Sequence, residues 1–279
     1  MSRVPWKASS PLPGFGVTLG FTLAYLCAIV LIPLLALIAR AARLGFAGIG
    51  AIAVDPRVLA SLRVTFGAAL MAAVIDVVFG ALIAWTLTRY RFPGRRLLDA
   101  LVDLPFALPT AVAGISLATL YAPNGWFGAA LARIGVKVAY TRAGILVALI
   151  FVGLPFVVRT VQPIIEDLDA RLEEASATLG ANRLQTLRRV LAPQLAPALS
   201  TGMALAFARG VGEYGSVIFI AGNIPYVSEI TPLLIIVKLE EYNYGGATAI
   251  AAIMLAVSFA MLLVINSAQN WSRRRLGFV

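Results

Sequence analysis

Histidine is absent from the 279 residues, cysteine occurs once, at Cys27, and lysine only three times, at Lys7, Lys137 and Lys238. Without histidine the commonest general base and the commonest metal ligand are missing, although carboxylate chemistry stays open. A lone cysteine permits neither an intrachain disulfide nor a cysteine metal cluster, so no metal site is expected. The lysines are followed by Ala8, Val138 and Leu239, which excludes the Gly-Lys-Ser or Gly-Lys-Thr of a phosphate-binding loop. Gly14, Gly16 and Gly20 echo a dinucleotide-binding turn, but they open an apolar run and follow no strand. No histidine, cysteine-pair or serine-base constellation supports an enzyme embedded in a membrane, and no cofactor is expected on this chain.

Charge is also scarce. Only 13% of residues are charged, 60% are hydrophobic, and the mean hydropathy is +0.90. A water-soluble domain of this size does not expose that composition. Apolar stretches of about 20 residues recur, the length that a helix rising about 1.5 Å per residue needs to cross a hydrocarbon core of about 30 Å. Continuous runs, rather than ten-residue alternation, select helices over a barrel. The expected fold is therefore all-α, a polytopic transmembrane bundle of about six spans in contact with membrane lipid: 16–39, 62–88, 100–121, 142–161, 196–222 and 247–268. Arg3 and Lys7 before the first span imitate a secretory signal, yet its apolar stretch is too long for one, so an uncleaved span is expected.

The net charge of +10 does not point to nucleic acid, because the basic residues sit between the apolar runs instead of forming one stripe. They read as topology signals. Lysine and arginine total 14 on the side carrying the termini and the second and fourth loops, against 8 on the other. That excess expects both termini in the cytoplasm. The organisation is then a cytoplasmic N-terminal segment 1–15, a permease domain 16–268 with a cytoplasmic loop 162–195, and a basic cytoplasmic tail 269–279. Pro105, Pro109, Gly153, Pro155, Gly202, Gly210, Gly212 and Gly215 punctuate the spans, as in bundles with broken helices and close contacts. Pro232 to Val237 predicts a short helix at the external interface.

The loop 162–195 is the most polar stretch. Ile165, Leu168, Leu172, Ala175 and Leu179 recur at spacings of three and four, opposite Glu166, Asp167, Asp169, Glu173 and Glu174, which predicts one short amphipathic helix. Gly180 suits its C-terminal cap, and Asn182 caps a second helix carrying Leu184, Leu187 and Leu191 that Pro193 is expected to end. Periodicity alone leaves two readings open: a hairpin that only covers the bundle, or a docking elbow.

Residue order adds more. Glu174-Ala175-Ser176, then Gly180 after three residues, then Val190-Leu191-Ala192-Pro193 after nine, resembles the EAA loop of ABC importer permeases. Ser176 replaces the second alanine of that pattern, and Val190 and Ala192 replace Ile and Leu. The stretches LTRYRFPGRRLLDALVDLPFALPTAVAG (87–114), LPFVVRTVQP (154–163) and GEYGSVIFIAGN (212–223) narrow the likeness to the sulfate/thiosulfate permeases, with molybdate permeases similar in the third and fifth spans. The resemblance implies a type I ABC importer permease fold in a bacterial inner membrane. It implies a coupling helix in which Glu174, Ala175, Ser176, Gly180 and Pro193 serve docking on separate ATPase subunits that use ATP. It also implies a second, related permease and a periplasmic sulfate/thiosulfate-binding protein that carries most of the selectivity.

Arg63, Asp76, Asp103, Arg209 and Glu213 fall inside or at the edges of spans, where each is costly unless it faces protein, water or an opposite charge. Arg209 and Glu213, four apart, share a helical face, and Asp103 offers Arg209 a second partner. A guanidinium suits a divalent oxyanion because it makes two parallel hydrogen bonds, and Thr110, Ser116 and Ser216 add donors. Arg209, Glu213, Asp103, Thr110 and Ser216 are thus the candidate anion pathway. A neutral structural pair between Arg209 and Glu213 is the competing reading, and a proton relay through Asp76, Asp103 and Glu213 a third.

Overall fold

The computed structural model describes residues 14–275, all helix, turn and loop with no strand among them. Most of the expected N-terminal segment, and the last four residues of the basic tail, lie outside the described residues. Asp55 starts the longest helix: its carboxylate accepts the backbone N–H of Arg57 at 2.8 Å and of Val58 at 3.2 Å, and Pro56 takes the first helical position, where no donor is needed. In chain order the helices are α1 (Phe15–Ala42), α2 (Gly45–Ala53), α3 (Pro56–Arg89), α4 (Arg95–Val102), α5 (Leu104–Ala107), α6 (Thr110–Tyr121) and α7 (Trp126–Ala132). They continue as α8 (Arg142–Glu166), α9 (Ala170–Thr178), α10 (Arg183–Val211), α11 (Val217–Ile220), α12 (Thr231–Glu240) and α13 (Tyr244–Arg275). Five of them, α1, α3, α8, α10 and α13, are long and apolar enough to cross a membrane.

The core is the junction of α3, α8 and α10. Small residues let these backbones approach: a methyl group on Gly80 of α3 would stand 2.8 Å from Val157 of α8, and one on Gly202 of α10 would stand 3.0 Å from the same residue's Cα. Val157 is thus clasped between two glycines, the close contact that packing in lipid requires where no hydrophobic drive joins helices. Val158, Val161, Ile145, Ala69 and Phe207 are buried around it. α6 packs on α8 and α11, while α13 lies against α10 and α12. By contrast α1 exposes nearly its whole length, touching the rest mainly through α13 and α2.

Three expectations change in detail. The third stretch, 100–121, is not one helix: the chain breaks at Asp103 and again at Leu108 and Pro109, leaving α6 with 12 residues, about 18 Å. Leu108 is extended because it precedes a proline, and Pro109 has no N–H to continue the ladder. The fifth stretch, 196–222, stops being helical at Val211, turns through 212–216, and resumes as the single turn α11. Pro193 does not end a helix; α10 runs through it. A five-residue π segment, Leu187–Leu191, precedes the proline, and Ala192 donates five residues back to Leu187. The same device, Cys27–Leu31 with Ile32 donating to Cys27, precedes Pro33 in α1. The wider turn makes room for a ring that an unmodified helix would clash with.

Candidate functional site

The predicted amphipathic helix is divided. Ile165 belongs to the end of α8, Leu168 to the turn, and Asp169 caps a new helix by accepting the N–H of Arg171 at 2.9 Å. A short carboxylate that caps locally competes with helix continuation, which is why the break falls there. Gly180 ends α9 with φ of 81°, Gly180 donating to Ala177 and Ala181 to Ser176, the paired bonds of a Schellman stop. Asn182 and Gln185 then form a reciprocal capping box at 2.9 and 2.8 Å.

The elbow so formed, 167–191, presents Glu174, Ala175 and Gly180 to solvent, with Leu179 88% exposed beside them. Ser176 does not join that surface. Its hydroxyl is buried in the hinge, donating to the Glu173 carbonyl at 2.8 Å and lying 2.9 Å from the Thr186 hydroxyl, so it staples the two arms together. Pro193 is half-buried inside α10. One ionic contact ties the elbow to the bundle, and a second braces the segment 95–107 against α8. Arg89, at the end of α3 and over the Trp85 ring, pairs with Glu173 at 2.9 Å. Arg159 of α8 forks onto both oxygens of Asp103 at 2.7 and 2.6 Å, and onto Asp99 and Gln162 at 2.7 Å each.

That fork corrects one expectation: Asp103 is the partner of Arg159, not of Arg209. The helix break at Asp103 turns its carboxylate toward α8, whereas Arg209 sits near the far end of α10. The other four pathway residues do share one place, where α10 ends against α6. Arg209 pairs with Glu213 at 2.5 Å. Glu213, buried, also accepts the backbone N–H and hydroxyl of Ser216, both at 2.8 Å. Thr110 abuts Gly215, and Gly114 lies directly on the Ser216 backbone, leaving no room for a side chain there. The Ser216 donor is therefore taken internally, while the Arg209 guanidinium, one-third exposed, and the Thr110 hydroxyl keep capacity. Ser116 is exposed and lines a different cavity, with Thr119 and Asn124.

Asp76 stands apart. It is fully buried in α3 against Gly153 of α8, and neither carboxylate oxygen has a hydrogen-bond partner. Since Asp103 bonds Arg159 and Glu213 bonds Arg209 and Ser216, the three carboxylates form no connected relay among the described residues.

Sequence reasoning missed the opposite end of the bundle. Arg57 donates from Nε and an outer nitrogen to the two oxygens of buried Glu229, at 2.8 and 2.7 Å. Behind that pair Thr65 accepts the Thr231 N–H at 2.8 Å, and Ser61 and Thr65 meet the Thr231 hydroxyl at 3.3 and 3.1 Å, seating α12 on α3. The partners are 166 to 172 residues apart, so only the hydroxyl spacing of four on α3 was available as a signal. Nearby, Arg63, Arg142 and Tyr226 border a cavity of about 560 Å³.

Residues 76–278 match the family described as binding-protein-dependent transport system inner membrane component. The chain is 52% identical over 265 residues to the sulfate transport system permease protein CysT of Salmonella typhimurium, covering 95% of this chain and 96% of that one. It is 51% identical, with the same coverage, to the protein of that name from Escherichia coli K12. A probable sulfate transport system permease protein of Nephroselmis olivacea is 49% identical over 92% of this chain and 90% of its own. Among solved structures, a bacterial ABC transporter that imports the acidic polysaccharide alginate aligns with a TM-score of 0.74 at 17% identity, over 93% of this chain and 94% of that one. An amino acid ABC transporter aligns at 0.52 and 21% identity, over 79% and 94%. At those identities the likeness speaks to fold: the bundle is that of a type I ABC importer permease.

Proposed function

The chain belongs to the family of binding-protein-dependent transport system inner membrane components, and from that premise we propose that it is the permease subunit of an ATP-driven sulfate and thiosulfate importer. ATP is bound and hydrolysed by separate ATPase subunits, and this chain catalyses no reaction and holds no cofactor. Both termini and the elbow face the cytoplasm. The elbow, through Glu174, Ala175 and Gly180, docks on the ATPase, while a second, related permease completes the pathway and a periplasmic binding protein delivers the anion.

The observation that carries this reading is the continuity of α10. One helix of 29 residues, about 44 Å, joins the elbow at Arg183 to the turn that holds Arg209, Glu213 and Ser216. A push on the elbow therefore reaches the cluster as a rigid-body movement, with Arg89–Glu173 fixing the elbow's angle to α3. Arg209, half-neutralised by Glu213, gives a passing dianion weak attraction; a fully free arginine would hold it and slow release.

Labelled sulfate uptake into vesicles holding the chain with its partner permease, ATPase and binding protein tests the proposal. Uptake is expected only with ATP and the binding protein. Uptake by the chain alone under a proton gradient, or loss of molybdate but not sulfate uptake on deleting the gene, overturns it.

A further inference from the structure

The turn between α3 and α4 concentrates positive charge that nothing in the fold neutralises. Arg91, Arg95 and Arg96 surround a cavity of about 340 Å³ with Phe92 and Gly94. None of the three pairs with an acid among the described residues, because the nearby carboxylates of Asp99 and Asp103 are held by Arg159 and that of Glu173 by Arg89. One turn further along α4, an apolar groove of about 370 Å³ opens between Leu98 and Leu101 of α4 and Phe79, Leu82 and Thr86 of α3, floored by Leu154 of α8. Leu97, Leu98 and Leu101 are all about half exposed or more, although α4 contributes only eight residues to the fold.

We propose that this turn and groove form a specific site for one anionic phospholipid of the inner leaflet, the phosphate seated among Arg91, Arg95 and Arg96 and an acyl chain lying in the groove. The inference rests on the reading that the elbow end faces the cytoplasm. Charge and dimension together choose the occupant. Guanidinium groups gathered at one turn suit a phosphodiester, and basic pockets at the cytoplasmic ends of membrane helices attract acidic headgroups. From Leu87 to Phe79 the groove wall descends eight residues of α3, about 12 Å, most of the depth of one hydrocarbon leaflet. A water-soluble anion accounts for the arginines but not for the exposed leucines one turn away. Because α4 carries Asp99 and leads into Asp103, which Arg159 grips, a lipid bound there also steadies the packing of α4 on α8.

Native mass spectrometry of the purified full-length chain, titrated with phosphatidylglycerol or phosphatidylcholine, tests the site without ATPase, binding protein or substrate, so its outcome is independent of the transport reading. One phosphatidylglycerol is expected to survive detergent exchange in preference to phosphatidylcholine. The combined Arg91→Ala, Arg95→Ala and Arg96→Ala variant should bind it at least about tenfold more weakly and lose the preference. Leu98→Trp, which fills the groove and leaves the charge alone, should weaken both lipids, with circular dichroism confirming an unchanged helical fold. Equal retention in the triple variant overturns the proposal. So does displacement by inorganic phosphate at matched concentration, which would make the site one for a free anion.

Discussion

The junction of α3, α8 and α10 and the elbow at 167–191 are built on opposite principles. At the junction, specificity comes from what is missing: Gly80 and Gly202 lack the atoms that would keep Val157 out, and apolar burial is nearly complete. At the elbow it comes from local polar bonds, the Asp169 cap, the Asn182–Gln185 box and the Ser176 staple, over residues that stay exposed. The first arrangement resists change in shape. The second holds its own shape without burying its surface, so that surface is available to another protein. A lever needs both a stiff fulcrum and a free end, and the chain separates them in space.

The largest effect on stability is expected at the fulcrum. Gly202→Leu places a side chain 3.0 Å from the Val157 backbone, where no rotamer change of a neighbour relieves it. Overpacking of this kind costs about 1–3 kcal/mol, and more where the clash is with backbone. Thermal unfolding of the detergent-solubilised chain should shift strongly downward and folded yield should fall. An unchanged melting temperature would mean that the junction yields, and that the contrast with the elbow is false. At the free end the expectation reverses. Glu174→Arg alters an exposed side chain that makes no hydrogen bond among the described residues, so stability should move by no more than about 0.5 kcal/mol. ATP-driven uptake should nevertheless be lost, because the charge presented to the ATPase is inverted. Normal uptake in a correctly inserted variant would remove Glu174 from the docking surface.

Much of this division is legible in the amino-acid sequence. The runs 62–88 and 142–161 lie within α3 and α8, and the Gly180 and Asn182 caps fall where residue chemistry placed them. Local rules failed where one signal carried two meanings. Pro193 reads as a helix stop, but the π segment before it absorbs the ring. Arg159 reads as a topology charge, yet its acidic partners are 56 and 60 residues away and meet it only because α4 and α5 bend beside α8. Asp103 reads as a second partner for Arg209 because both lie in spans; which helix face each occupies depends on the breaks at Asp103 and Pro109, and those breaks also shorten the third span. Contacts within one turn follow from spacing, whereas contacts between helices follow from crossing geometry that spacing does not encode.

Asp76 sharpens the comparison most, and its predicted effect is the smallest. It is a carboxyl group inside the fulcrum, where among the described residues no side-chain hydrogen bond joins α3, α8 and α10 to one another, with both oxygens unpartnered against Gly153. If the junction works purely by shape, the volume of this side chain matters and its capacity for charge does not. Asp76→Asn keeps the volume and removes the charge, so folded stability should stay the same or rise, because a buried group with no opposite charge has no ion pair to lose. Sulfate uptake should be unaffected as well. Asp76→Leu, which changes shape where Gly153 leaves only a narrow recess, should destabilise the chain while Asp76→Asn does not. Were the asparagine variant to fold normally but fail in transport, the carboxyl group would be serving the transport cycle directly, and the fulcrum could no longer be treated as chemically silent.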